Sequence, residues 1–184
     1  AIGYAALGAL TSGARNLALG YQSMQHADTA TDCIAIGYGA MYDQNVGGSG
    51  HAADSDHNIA IGSLAMSGAW ADAKSENNIA IGSLSMAGVM SGALRNTCMG
   101  YNSGNDITTG DDNVLIGMEA GASITGGQYN VFIGSYAGLE NEGGHKNIFI
   151  GGEAGEHGGG ADSTSPDNSI AIGYQTTFGT ATPD

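Results

Sequence analysis

The chain has 184 residues, of which 33 are glycine, and its 18 acidic and 4 basic side chains give a formal net charge of −14. This charge excludes nucleic acid and anionic lipid surfaces as favoured partners, because both are themselves negatively charged. No apolar run approaches the roughly 18 residues of a membrane-spanning helix, so we expect no membrane insertion.

A short motif recurs along the chain and reads Asn, aliphatic, small or apolar, aliphatic, Gly. In chain order, clear copies begin at Asn16, Asn58, Asn78, Asn113, Asn130 and Asn147, and variant copies begin at Ala1, Cys33, Asn96 and Ser169. The motif glycines are Gly3, Gly20, Gly37, Gly62, Gly82, Gly100, Gly117, Gly134, Gly151 and Gly173. Five of the nine intervals between these glycines are 17 residues long, as from Gly3 to Gly20, and the other four are longer. This shortest interval, a 17-residue repeat, is therefore the minimal turn, and the excess is expected in loops.

Each motif predicts one short strand, and about ten stacked copies predict an all-β fold, a parallel β-helix or β-roll solenoid. Ile59 and Ile61 point to one side of such a strand, and Ala60 points to the other side. The middle residue is apolar throughout, so both sides of each strand are expected to be buried. One side can face the interior of the coil, and the other side then needs a second apolar surface, most simply a neighbouring chain.

Two features of the motif indicate how the layers stack. The glycine supplies either a backbone angle denied to other residues or a close approach between layers. The leading Asn has two interpretations, an amide ladder along the stack or simple tolerance of left-handed turn geometry. Four residues after the glycine, Met predominates in the first half and Gly in the second half. We therefore predict a single repeat domain over residues 1–184, with a change of cross-section near residue 100.

The motif Asn-Ile-Ala-Ile-Gly that begins at Asn58 and at Asn78, with a small residue three positions after its glycine, resembles the head repeats of trimeric autotransporter adhesins. The copies that begin at Asn130 and Asn147 resemble even more closely the repeats of bacteriophage tail fibres upstream of a self-cleaving chaperone domain. The resemblance covers nearly the whole chain, although the 17-residue spacing is longer than that of adhesin heads. It implies an intertwined trimer of parallel β-rolls.

This resemblance implies an extracellular rod, and with the two-sided apolar strands it predicts a homotrimer with Leu115, Phe132 and Phe149 at the interface. The leading hypothesis is a segment of a longer phage tail fibre, part of the virion, that positions or contributes to binding of a host cell-surface glycan or protein. The alternative is a bacterial surface adhesin or filament subunit. A polysaccharide-degrading spike is a minor alternative.

The sequence predicts no catalytic site and no required cofactor. The five histidines lie in turns or insertions without a repeated relation to any Ser, Cys or Glu. Calcium stays open as an alternative because acidic turns offer hard oxygen ligands at close spacing. These turns contain Asp54 and Asp56; Asp106, Asp111 and Asp112; and Asp162 and Asp167. The glycine–aspartate nonapeptide of calcium-binding β-rolls is not repeated here, and a solubilising role explains the same carboxylates.

The insertions between repeats are the predicted place for a ligand, since recognition tends to lie on loops held by a rigid scaffold. The longest insertion lies within residues 38–61. The candidate binding residues, in which an aromatic ring would stack on a sugar, are Tyr42, His51, His57 and Trp70. A second interpretation is open for Trp70, in which its ring packs against the coil as a hydrophobic plug.

Overall fold

A computed structural model of the chain describes residues 1–27, 29–42, 55–70, 73–155 and 166–177. These residues contain no helix, and hence none that could cross a membrane. The nine strands are β1 (Leu17–Leu19), β2 (Ile34–Ile36), β3 (Ile59–Ile61), β4 (Ile79–Ile81), β5 (Thr97–Met99), β6 (Val114–Ile116), β7 (Val131–Ile133), β8 (Ile148–Ile150) and β9 (Ile170–Ile172). Every strand therefore coincides with the three residues between the first and last positions of a motif.

The strands form one parallel sheet in chain order from β1 to β9. Each strand pairs with the next at equivalent motif positions, as Ala35 does with Ala60. Ile2 extends the ladder by an isolated parallel bridge to Leu19. Because consecutive strands are parallel neighbours, the chain must return once per repeat to the end of the sheet at which every strand begins. The predicted all-β solenoid with its 17-residue minimal repeat is therefore confirmed.

Residues with left-handed backbone angles form the corners of the coil. One such corner precedes the leading Asn, as at Arg95 with φ 57°. Two more follow the motif glycine by two and four residues, as at Leu84 with φ 59° and Met86 with φ 49°. A left-handed angle at a non-glycine residue costs of order 1–3 kcal/mol and persists only where the surroundings enforce it. The stacked layers provide that enforcement, because each corner bonds to the layers beside it.

The motif glycine meets both predicted requirements. Gly62 has φ 141°, in a region of backbone conformation that side chains disfavour. A Cβ atom at Gly62 would also overlap the carbonyl oxygen of Gly82 in the next layer. The same overlap recurs between successive motif glycines through most of the ladder. Any larger residue here would push adjacent layers apart.

The middle residue of each strand faces the interior of the coil. The predicted trimer interface at Leu115, Phe132 and Phe149 is therefore wrong, because all three side chains are 0% exposed within a single chain. Phe132 and Phe149 stack on each other, with ring centroids 4.6 Å apart and an interplanar angle of 5°. Side chains that are fully covered by their own chain leave no surface for a partner.

Core filling changes along the stack while the strand ladder continues without interruption. In the first half a small middle residue, such as Ala35, is combined with a corner methionine, such as Met41, and both are buried. In the second half a large middle residue, such as Phe132, is combined with a corner glycine, Gly138. A Cβ atom at Gly138 would collide with the Phe132 ring. The two positions therefore share one volume, which is filled from either side.

The leading asparagines form a buried amide ladder. The backbone N–H of Asn96 donates to Oδ1 of Asn78 at 2.9 Å, and Nδ2 of Asn96 donates to the same oxygen at 3.1 Å. Nδ2 also donates to the carbonyl of Gly110 at 2.7 Å. The left-handed angle belongs to the preceding residue, Arg95. Of the two interpretations of the leading Asn, the ladder is therefore confirmed.

Candidate interaction surface

Two columns of aliphatic side chains cover the outside of the sheet. They are the first and third residues of each strand, which flank the inward middle residue. In β2, β3, β4 and β6 they are half-buried, as Ile61 and Ile81 are, and toward the ends they are exposed, with Leu17 at 47% and Ile172 at 65%. The larger apolar side chains of most strands therefore lie outside the core.

A third column is formed by the residue directly after each motif glycine. Its exposed large members are Tyr4, Tyr21, Tyr38, Tyr101, Met118 and Tyr174. The ring of Tyr21 lies between two others, 5.2 Å from Tyr4 and 5.5 Å from Tyr38, with interplanar angles of 18° and 7°. The ring of Tyr21 is therefore covered on both faces, whereas Tyr4 and Tyr38 each have one stacked neighbour.

We call these three columns the outer face. They are the two aliphatic positions of β1 to β9 with Ile2, together with residues 4, 21, 38, 63, 83, 101, 118, 135, 152 and 174. No acidic, basic or histidine residue occupies any of these positions, although the chain carries 18 acidic and 4 basic residues. The outer face is therefore a strip that is continuous along the ladder, largely apolar and free of charge.

Charged residues border the outer face on the side where the chain enters each strand. Arg95 Nε donates to Asp112 Oδ1 at 2.7 Å, and its second donor reaches Oδ2 at 2.8 Å. Arg15 and Asp32 make the equivalent bidentate pair one period apart. Hydrogen bonds from the guanidinium groups hold the pKa of Asp32 and of Asp112 below the usual carboxyl range. These pairs tie neighbouring layers together at the corner before the strand.

The three predicted sugar-binding residues that the structure describes lie in different environments. Trp70 is 1% exposed and belongs to the core, so the plug interpretation is correct and the sugar-stacking prediction is wrong for this residue. Tyr42 is half-buried and meets His26 edge-on at 5.2 Å. His57 is exposed, with Nε2 3.6 Å from Asp32 Oδ2. His51 lies outside the described residues.

The acidic turns hold the backbone of neighbouring layers. Oδ1 of Asp111 accepts the N–H of Leu94 at 2.9 Å, and Oδ1 of Asp56 accepts the N–H of Thr31 at 2.7 Å. Asp167 does the same for His145 at 2.6 Å. Across the described ranges, no group of three or more His, Cys, Asp and Glu side chains is arranged to hold a metal ion. Asp54 and Asp162, named above with the calcium alternative, lie outside these ranges.

Sequence analysis expected one side of each strand to meet a neighbouring chain, but it assigned the middle residues to that side and did not identify the tyrosine column. The signal was present, since the position after the motif glycine is Tyr in five of the ten repeats and never charged. No protein-family model, curated protein or solved structure matches the chain.

Proposed function

We propose that this chain is a segment of an extracellular, homotrimeric structural rod, most simply of a phage tail fibre. The observation that carries the proposal is the uninterrupted ladder of nine in-register parallel strands. A stack in which each layer contacts only its neighbours grows in one dimension, so its length follows the number of repeats. Such a molecule is suited to hold a receptor-binding part at a distance from a larger body.

The second candidate is a bacterial surface adhesin or filament subunit. The identical strands Ile59–Ile61 and Ile79–Ile81, each preceded by a buried Asn, favour it because they carry the motif shared with adhesin heads. The sequence that flanks this segment in the full-length protein discriminates the two candidates. A membrane-anchor barrel indicates the adhesin, whereas a chaperone or baseplate-attachment domain indicates the fibre.

The proposal assigns no catalysis to this segment, and the minor alternative of a polysaccharide-degrading spike is tested directly. The purified segment would be incubated with capsular and lipopolysaccharide preparations from several bacterial strains, and released reducing ends would be measured. We expect no turnover. Turnover that is abolished by one carboxylate substitution would establish the spike enzyme instead.

Shape and mass test the rod itself. Ten layers at about 4.8 Å per strand give a length of roughly 48 Å. Light scattering coupled to size-exclusion chromatography should give the mass of three chains, and small-angle X-ray scattering should give an elongated particle of about this length. A dispersed monomer would refute the homotrimer, and a spherical particle without the expected long dimension would refute the rod.

A further inference from the structure

We infer that copies of this chain associate through the outer face, with the aliphatic columns of one copy packed against those of another. The inference takes its partner, a second and a third copy of the chain, from the proposed homotrimer. This interface takes the place of the one predicted from the sequence at Leu115, Phe132 and Phe149, which are buried within each chain. The interface is instead built from the side chains that the coil leaves outside.

The outer face is larger than the apolar patches that monomers usually expose, and it approaches the area that one partner buries in a standard interface. Nine strands at about 4.8 Å cover roughly 38 Å along the stack, and three columns about 6.7 Å apart span roughly 13 Å between their outer members. With side-chain width included, the strip measures on the order of 600–700 Å². Standard interfaces bury about 800 Å² per partner, and monomers seldom expose apolar patches larger than a few hundred Å².

Charge restricts where two copies can approach. With a net charge of −14, copies of the chain repel each other over most of their surface. The outer face is the exception because none of its positions is charged. The margin before the strands is charged at five of its nine positions, as at Arg95, Asp112 and Lys146, whereas the margin after the tyrosine column is charged only at Glu119 and Glu153. An apolar strip with a charged rim has the anatomy of a protein–protein interface.

The repeat favours another copy of the chain over a lipid surface or an unrelated protein. Each row of the face recurs at the strand spacing, so a parallel copy offers rows with the same spacing and can pack along the full length. Anionic lipid surfaces repel so acidic a chain. A neutral bilayer would require the face to penetrate acyl chains, which the charged residues along the margin before the strands oppose.

The outer face can be altered without opening the core. The interior is filled by the middle strand residues and the corner side chains, and its buried cluster contains none of the outward aliphatic residues. Ile61 and Ile133 lie in the same column and are separated by the intervening strands β4, β5 and β6. A charge at each position therefore avoids the repulsion between directly opposed like charges in a sheet.

The test compares the wild-type segment with the double variant Ile61→Asp/Ile133→Asp by light scattering at equal concentration. We expect the mass to fall threefold, to one chain, with an unchanged far-ultraviolet circular dichroism spectrum. The control is Lys74→Glu, which adds the same two units of negative charge at an exposed residue away from the face. This control should keep the wild-type mass.

A second measurement does not depend on the double variant folding. Tyr101 of the otherwise wild-type segment would be replaced by p-benzoyl-phenylalanine, a similar aromatic ring that forms covalent cross-links under near-ultraviolet light. We expect chain-to-chain cross-links at this position of the outer face. Their absence from an assembled trimer would overturn the inference.

The outcomes separate this inference from the proposed function. A trimer that survives the double substitution refutes the outer-face interface and leaves the homotrimer standing. An elongated wild-type monomer refutes both the interface and the homotrimer and leaves a single-chain rod. A monomer that sediments with neutral phosphatidylcholine vesicles would overturn the inference and assign the face to a lipid surface.

Discussion

At the scale of single residues, the leading asparagine has chemistry that its isosteres lack. Oδ1 of Asn78 accepts two hydrogen bonds from Asn96, while Nδ2 of Asn78 donates to Asn58 and to the carbonyl of Ala93. All the ladder asparagines from Asn58 to Asn147 are fully buried. The position therefore requires a side chain of the size of asparagine that carries both a hydrogen-bond acceptor and a donor. Only the amide of asparagine meets this requirement.

The ladder predicts a large effect for a change of one atom. Asn96→Asp would remove the Nδ2 donor and place a carboxylate in a buried position, which should lower the free energy of unfolding by about 3 kcal/mol. The matched control is Asn102→Asp, at a half-buried corner residue where the amide makes no ladder bond. Thermal unfolding followed by circular dichroism at pH 7 measures both. Equal losses of stability in the two variants would contradict the structural role of the ladder.

At the scale of the repeat, one internal volume is filled by two positions. Gly138 is required by Phe132, since a Cβ atom at Gly138 would collide with carbon atoms of the aromatic ring. Met41 adopts φ 52° at the equivalent corner, opposite Ala35, so methionine is compatible with the backbone angle. Each layer can therefore place one large side chain in the interior, either from the middle of the strand or from the corner four residues after the motif glycine. It cannot hold large side chains at both positions.

A swap within one layer tests this shared volume. Phe132→Ala alone should cost about 3–5 kcal/mol through a cavity, and Gly138→Met alone should cost about 1–3 kcal/mol or more through overpacking. The double variant should be more stable than the sum of these losses predicts, by at least about 1 kcal/mol. Denaturant unfolding of the four proteins gives the coupling. The mismatched pair Phe132→Ala/Gly121→Met is the control, because Gly121 lies against Leu115 of another layer. Additive losses in the matched pair would contradict the shared volume.

In the molecule as a whole, the strands and corners form the scaffold, and the insertions between repeats lie outside the strand ladder. Strands and corners repeat with the period of the core, whereas the excess residues of long intervals leave the ladder unchanged, as shown by the pairing of β2 with β3 across the longest one. The insertion between Tyr42 and Ser55 can therefore vary in sequence without loss of register. Under the proposed function it is the part that contacts the host.

Shortening this insertion should remove attachment without disrupting the rod. Deletion of residues 45–52 reduces the interval between Gly37 and Gly62 to the minimal one found between Gly20 and Gly37. Fluorescently labelled segment would be bound to a panel of bacterial strains, and cell-associated fluorescence would be measured. The control deletion removes residues 158–162, which shortens the interval between Gly151 and Gly173 to the same minimal length. Unreduced binding by the first variant would place host recognition elsewhere in the protein.

The period, the positions of the nine described strands and the need for the motif glycine could all be predicted from the residue pattern. These features are local and repeated, so self-comparison reveals them without knowledge of what packs against what. The strands β1 to β9 all coincide with motif positions, and Gly62 has both the angle and the close contact expected. Repetition therefore made the fold class predictable from one chain.

The side of each strand that faces the interior could not be predicted from the residue pattern and follows from the packing of the closed coil. Apolar residues occupy both sides, so hydrophobicity cannot orient a strand such as Ile59–Ile61, and size misleads because Ile59 and Ile61 are larger than Ala60. The left-handed corners turn the middle residue inward, where one strand side chain and one corner side chain fill each layer. That volume exists only once the coil has closed. For the same reason, Trp70 enters the core and the aliphatic pairs remain outside as the outer face.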